Sequence, residues 1–207
     1  MFQDRDEAAR KLAVKLQAYK GKQPLVLAIP RGAVPMASII ADELGGSYDV
    51  VLVRKLRAPI NPELAIGSVD ESGWTYIADY AASTGADSAY IEAEKQRQLG
   101  IIRQRRAQYT PIKALEDPTG RIVIVIDDGL ATGATMISAL HGLRNRKPAR
   151  LICAVPVAPP DTLDKVAELA DEVVCLEAPE NFRAVGQFYA AFPQVEDEEV
   201  IQILRSS

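Results

Sequence analysis

The residues with most chemical content lie in one run. Ile122-Val123-Ile124-Val125-Ile126 is a continuous apolar stretch ending in Asp127-Asp128-Gly129-Leu130-Ala131-Thr132-Gly133-Ala134-Thr135-Met136, after which a helical pattern begins. A turn with Gly133 and no bulky side chain lets successive backbone N–H groups face one anion. The helix that follows leaves its first four N–H groups free at its positive end. Ala131, Thr132, Gly133, Ala134 and Thr135 therefore read as a phosphate cradle, with hydroxyl donors at Thr132 and Thr135. No lysine follows Gly133, so the Walker pattern of nucleotide hydrolases fails. The paired carboxylates can grip sugar hydroxyls, hold magnesium directly or through ribose or water, or stabilise positive charge developing on a sugar ring. Adjacent strand residues point to opposite faces, so Asp127 and Asp128 should not act identically. The plain alternative is a turn or capping pair, but a cap needs one acid and a second, half-buried one costs desolvation energy.

A turn of this kind works when a sheet holds it rigidly, and the rest of the chain predicts such a sheet. Ala8, Leu12, Leu16 and Tyr19 recur at helical spacing within Asp4–Tyr19. Apolar runs at Leu25–Ile29, Asp49–Val53, Ile122–Ile126, Leu151–Val155 and Glu172–Leu176 read as strands, those without alternation being buried on both faces. Helical segments at Val34–Leu44, Thr135–Leu143 and Pro160–Ala170 separate them. The expectation is an α/β fold with a mainly parallel five-stranded sheet flanked by helices. It is interrupted by an insertion at about 54–115, in which Arg54–Trp74 has no clear periodicity and Ser88–Tyr109 is a polar helix. A loop-rich tail at about 177–207 completes a single domain spanning 1–207. Arg103, Arg105 and Arg106 read as a solvated helix face and His141 as a surface residue.

In parallel sheets ligands bind beyond the carboxyl ends of the strands. Arg31 and Gly32 follow the first strand and Arg54 and Lys55 the second, so both ends carry cations. With 24 basic and 28 acidic residues the chain has a formal charge of −4, so no global field attracts nucleic acid or an anionic membrane and an anion must be captured locally. Its apolar runs fall far short of the roughly 20 residues of a spanning helix. The N-terminal sequence lacks the basic-then-apolar order of a secretory signal, which makes a cytoplasmic location the expectation. Cys153 and Cys175 lie in apolar strands and read as reduced core residues.

The run Val-Ile-Asp-Asp-Gly-Leu-Ala-Thr-Gly-Ala-Thr closely resembles the signature of type I phosphoribosyltransferases, which bind 5-phosphoribosyl 1-pyrophosphate. Over its length the chain is similar to a group of bacterial predicted phosphoribosyltransferases of about 200 residues. The resemblance implies magnesium-dependent phosphoribosyl transfer to a nitrogen nucleophile, such as a nucleobase, with release of pyrophosphate. Asp127 and Asp128 would hold the ribose hydroxyls, and Thr132 to Thr135 the 5-phosphate. Arg31, Gly32, Arg54 and Lys55 would meet the pyrophosphate. The aperiodic Arg57–Trp74 stretch would be a flexible loop closing over the site, with Glu63 a candidate proton acceptor. The tail would form a small hood in which Phe182 stacks on the base, and relatives of this fold are often homodimers. Two departures leave the base open. Ala131 and Pro156 stand where oxopurine enzymes of the family carry an aspartate and a lysine. The alternative function on the same fold is a non-catalytic regulator that senses phosphoribosyl pyrophosphate or a nucleotide.

Overall fold

The computed structural model describes residues 1–207. Five strands, β1 (Leu25–Ala28), β2 (Ser47–Val50), β6 (Ile122–Ile126), β7 (Arg150–Val157) and β8 (Glu172–Glu177), form a parallel sheet in the order β2-β1-β6-β7-β8. Both faces are covered, which is why the central strands are apolar without alternation. Val26, Ala28, Ile124 and Ile126 join the core beneath α1 (Arg5–Lys15) and α2 (Val34–Leu44). Leu25, Leu27, Val123 and Val125 join a second core beneath α4 (Ala134–Arg144) and α5 (Pro160–Ala167).

From β1 the chain runs by α2 to β2 on one side, whereas β6 lies on the other side of β1. The order reverses at this point, and a crevice opens beyond the strand ends. Ala28 and Ile126 are register partners, so the turns after β1 and β6 leave the sheet side by side. The two segments predicted to bind anions are thereby neighbours despite nearly a hundred intervening residues.

The Arg54–Trp74 part of the insertion differs from the aperiodic stretch expected, whereas the polar helix at Ser88–Tyr109 is present. The insertion forms a three-stranded antiparallel sheet of β3 (Val53–Arg57), β4 (Ala65–Asp70) and β5 (Thr75–Ile77), flanked by α3 (Ser88–Tyr109) and α4. Every residue of β4 is buried, including Gly67, Ser68 and Asp70. These small and polar residues erase the alternation that would mark a strand. Gly67 has no side chain because the Tyr76 carbonyl occupies the place of its Cβ. Ser68 is satisfied internally through the Ala134 carbonyl and the Ser138 hydroxyl.

The expected Asp49–Val53 strand is divided between two sheets. The parallel strand ends at Val50, and Val53 begins a strand of the other sheet. An unbroken apolar run conceals a change of sheet, because both strands contribute buried residues to it. Arg54 and Lys55 thus lie within an antiparallel strand, beyond the end of the parallel one. The tail is less loop-rich than expected, since α6 (Asp197–Arg205) buries Val200 and Leu204.

Candidate active site

Gly133 opens the helix after β6 with φ 80° and ψ 5°, a left-handed conformation that glycine adopts without steric cost. A Cβ there would sit 2.7 Å from Thr162 Cγ2 of α5. No side chain caps α4, and the backbone N–H groups of Thr135 and Met136 have no acceptor within the protein. Thr132 Oγ1 is 3.4 Å from the Ala134 N–H, while the Thr162 hydroxyl donates to the Ala131 carbonyl at 2.7 Å and fixes the turn from outside. The result is a rigid concave backbone with free donors, suited to a phosphate dianion.

The turn lines a cavity of about 380 Å³ shared by Asp127, Lys55, Glu63, Arg183 and Val185. Lys55 and Glu63 come from β3 and the β3–β4 connection, which places the insertion over the cradle. Arg183 was not singled out in the sequence; a lone arginine in a polar tail carries no periodic or motif signal. Phe182, its neighbour, is half-buried and stacks on Phe188 with centroids 5.3 Å apart.

Asp127 and Asp128 differ as their alternation requires. Asp127 faces this cavity, and its Oδ1 accepts the Asp128 N–H at 2.9 Å. Burial and, next, repulsion from Asp128 raise its pKa well above the ordinary carboxylate range. Asp128 is held from another side, where its Oδ2 accepts from Arg5 Nε at 3.0 Å. The Asp128 carbonyl accepts from the Tyr189 hydroxyl at 2.6 Å. Gly32 packs so closely against this pair that a Cβ would collide with Asp128 Oδ2. The turn after β1 can therefore touch the turn after β6 only as glycine.

A second cavity of about 380 Å³ lies on the Asp128 side, with Arg5, Arg31, Gly32, Arg54, Arg105 and Phe192 in its wall. Only two of its four arginines have carboxylate partners, Arg5 with Asp128 and Arg31 with Asp197 at 3.5 Å. Arg54 donates to Gln98 Oε1 at 3.0 Å. Burial, followed by repulsion from Arg105, Arg57 and Arg31, lowers its pKa. Excess positive charge held in a recess is suited to a bound anion. Arg54 and Lys55 occupy opposite faces of β3, one in each cavity. Of the three helix arginines read as solvated, Arg105 enters this wall and Arg106 pairs with Glu71.

A family model for the phosphoribosyl transferase domain matches residues 3–193. The chain belongs to that family. This phosphoribosyl transferase domain is 40% identical, over 205 residues and 99% of its length, to a Mycobacterium tuberculosis protein named "Putative phosphoribosyl transferase Rv0571c". The chain spans about half the length of the curated relatives it matches, 46% of each. Among solved structures it is similar to TT1426 from Thermus thermophilus, with 42% identity, a TM-score of 0.82, and coverage of 99% of this chain and 98% of that one. A purine phosphoribosyltransferase from Pyrococcus horikoshii shares the fold at 17% identity and a TM-score of 0.51, with 93% of both chains covered. No helix of the domain is long and apolar enough to cross a membrane.

The family implies magnesium. No group of three or more His, Cys, Asp or Glu side chains converges to hold a metal. Magnesium takes about six oxygens and keeps several waters, being bound by one or two carboxylates plus substrate phosphates. Asp127 offers an uncommitted Oδ2 in a place where a negative charge is held at a cost, so the residues fit an ion shared with substrate.

Proposed function

We propose that this domain transfers a 5-phosphoribosyl group from 5-phosphoribosyl 1-pyrophosphate to a nitrogen nucleophile, such as a nucleobase, in a magnesium-dependent reaction that releases pyrophosphate. The observation that carries this reading is the adjacency of two different anion sites across Asp127 and Asp128. One is a backbone cradle shaped for a single phosphate, and the other is an arginine recess with charge for a larger anion. A sugar bearing phosphate at one end and pyrophosphate at the other fits that pair.

In this reading Thr132 to Thr135 bind the 5-phosphate, and Asp127 and Asp128 orient the ribose hydroxyls. The bond from the anomeric carbon to pyrophosphate breaks with its electron pair leaving on the pyrophosphate oxygen. Arg31, Arg54, Arg5 and Arg105 stabilise that charge, and Gly32 admits the anion close to the backbone. The carboxylates favour the positive charge that develops on the sugar ring. The nitrogen then forms the new bond at the anomeric carbon, and Glu63, exposed in the cradle cavity, accepts its proton. Lys55 and Arg183 screen the remaining phosphate charge, while Phe182 supplies a wall for the base. Magnesium, held by Asp127 and the substrate's oxygens, would neutralise charge on the leaving group. Catalysis is positioning and electrostatics, which accords with the absence of a nucleophilic triad from the cavity walls.

The test is thermal stability with magnesium and 5-phosphoribosyl 1-pyrophosphate, followed by pyrophosphate release across a panel of bases. Ligand at 100 times its dissociation constant stabilises the fold by roughly 2.7 kcal/mol. The shift should need magnesium and vanish in Asp127→Asn/Asp128→Asn. Binding without turnover over the whole panel would turn the assignment to a sensor on the same fold, and no shift at millimolar ligand would remove the assignment.

A further inference from the structure

We propose that the cavity between β4–β5 and the C-terminal half of α4 is a binding site for a small planar aromatic amine or amidine. It is separate from the phosphoribosyl reading and does not depend on it. The cavity has a volume of about 350 Å³, enough for a one- or two-ring molecule. Val51, Val53, Ala139 and Leu143 give it apolar walls, and one side is a flat pair of rings: Trp74 and His141 stack 3.7 Å apart at 10°.

Two polar groups at this cavity lack partners. Asp70 is 8% exposed, and its Oδ1 takes all three hydrogen bonds the carboxylate accepts, from the Ser72 N–H, the Ser72 hydroxyl and the Trp74 N–H. Its Oδ2 accepts none, although it faces α4 so closely that a Cβ on Gly142 would lie 3.1 Å from it. His141 Nδ1 is buried and likewise without a partner. Buried polar atoms are almost always satisfied, so the unmet His141 Nδ1 is unusual, and beside it Asp70 Oδ2 is a carboxylate oxygen at the cavity with its accepting capacity unused. A carboxylate oxygen only accepts, so the ligand must donate, and flat apolar walls select a ring to carry the donor. Ser138, fully buried in the same wall, is tied through Ser68 to the first turn of α4. His141 lies about 10 Å along that helix from Ala134 at 1.5 Å per residue, so this recess and the cradle are distinct.

Trp74 is the only tryptophan, so its emission and its single indole N–H resonance report on this wall alone. The experiment titrates the full chain with benzamidine, and in parallel with benzoate, which keeps the ring but carries an acceptor. Asp70→Asn retains Oδ1 for the turn while converting the free atom from acceptor to donor. His141→Phe retains a ring against Trp74 and removes Nδ1. Benzamidine should perturb both Trp74 signals saturably in the wild type, benzoate should not, and Asp70→Asn should weaken the response about tenfold or more. Circular dichroism checks that the variant is folded, and His141→Phe, expected to weaken binding in the same direction, replaces it if it is not. The proposal is overturned if benzamidine gives no saturable change up to ten millimolar, if benzoate gives the same change, or if the folded variants respond as the wild type does.

Discussion

The two recesses that flank Asp127 and Asp128, which we propose take anions, are built in opposite ways. The cradle comes from consecutive residues of one strand-turn-helix, and its donors are backbone N–H groups fixed by a left-handed glycine. The arginine recess draws Arg5 from α1, Arg31 from the turn after β1, Arg54 from β3 and Arg105 from α3. The first is preorganised by local geometry and costs the fold little. The second gathers like charges that the fold must hold against their mutual repulsion, a cost that a bound polyanion would remove. Local architecture thus supplies shape, and tertiary architecture supplies charge.

That division can be broken most forcefully at Gly133. Gly133→Val forces a branched residue into a positive φ and against Thr162, which should cost about 1–3 kcal/mol of stability. Titration calorimetry should show ribose 5-phosphate binding weakened about a hundredfold with pyrophosphate binding little changed, since several charge-assisted bonds are lost at one site alone.

The reciprocal variant, Arg54→Met with Arg105→Met, should weaken pyrophosphate binding by about tenfold or more and spare ribose 5-phosphate. Its melting temperature should not fall, because Arg54 keeps its charge against burial and neighbouring cations. A drop in stability with unchanged pyrophosphate affinity would instead mark the arginines as structural. Arg5→Gln tests the seam between the sites. Removing its contacts to Asp128 and the Pro193 carbonyl should cost about 1–2 kcal/mol in denaturant titration and weaken both ligands modestly.

The smallest effect expected is a pH dependence. The Asp127 carboxyl titrates above its unfolded value, so between the two pKa values the folded state holds the extra proton and stability falls as pH rises. Asp127→Asn should therefore be more stable than the wild type near neutral pH without ligand. The advantage should shrink as pH falls from the raised folded value toward the ordinary carboxylate range and level off below it, as melting curves across pH would register.

The same contrast explains what could be read from the residues alone. The parallel sheet and the strand-turn-helix geometry around Asp127–Thr135 were legible because buried strands and a turn of small residues each leave contiguous patterns. The arginine recess was half legible: Arg31 and Arg54 follow apolar runs, whereas Arg5 and Arg105 sit on helices whose polar faces look solvated. The second sheet escaped because β4 satisfies Ser68 and Gly67 by contacts with distant segments, which no local periodicity encodes. Those same contacts make His141, read as a surface residue, a half-buried ring against Trp74.

The Arg5 side chain has a further consequence for engineering. Its guanidinium lies 4.0 Å from the Phe192 ring centroid and reaches both Asp128 and the Pro193 carbonyl. Phe2 exchanges backbone bonds with Phe188 and Ala190. The C-terminal segment that would choose the base is therefore not a detachable module. A chimera that imports this segment from a relative would need the relative's first helix as well, and selection for a new acceptor would have to move both ends of the chain together.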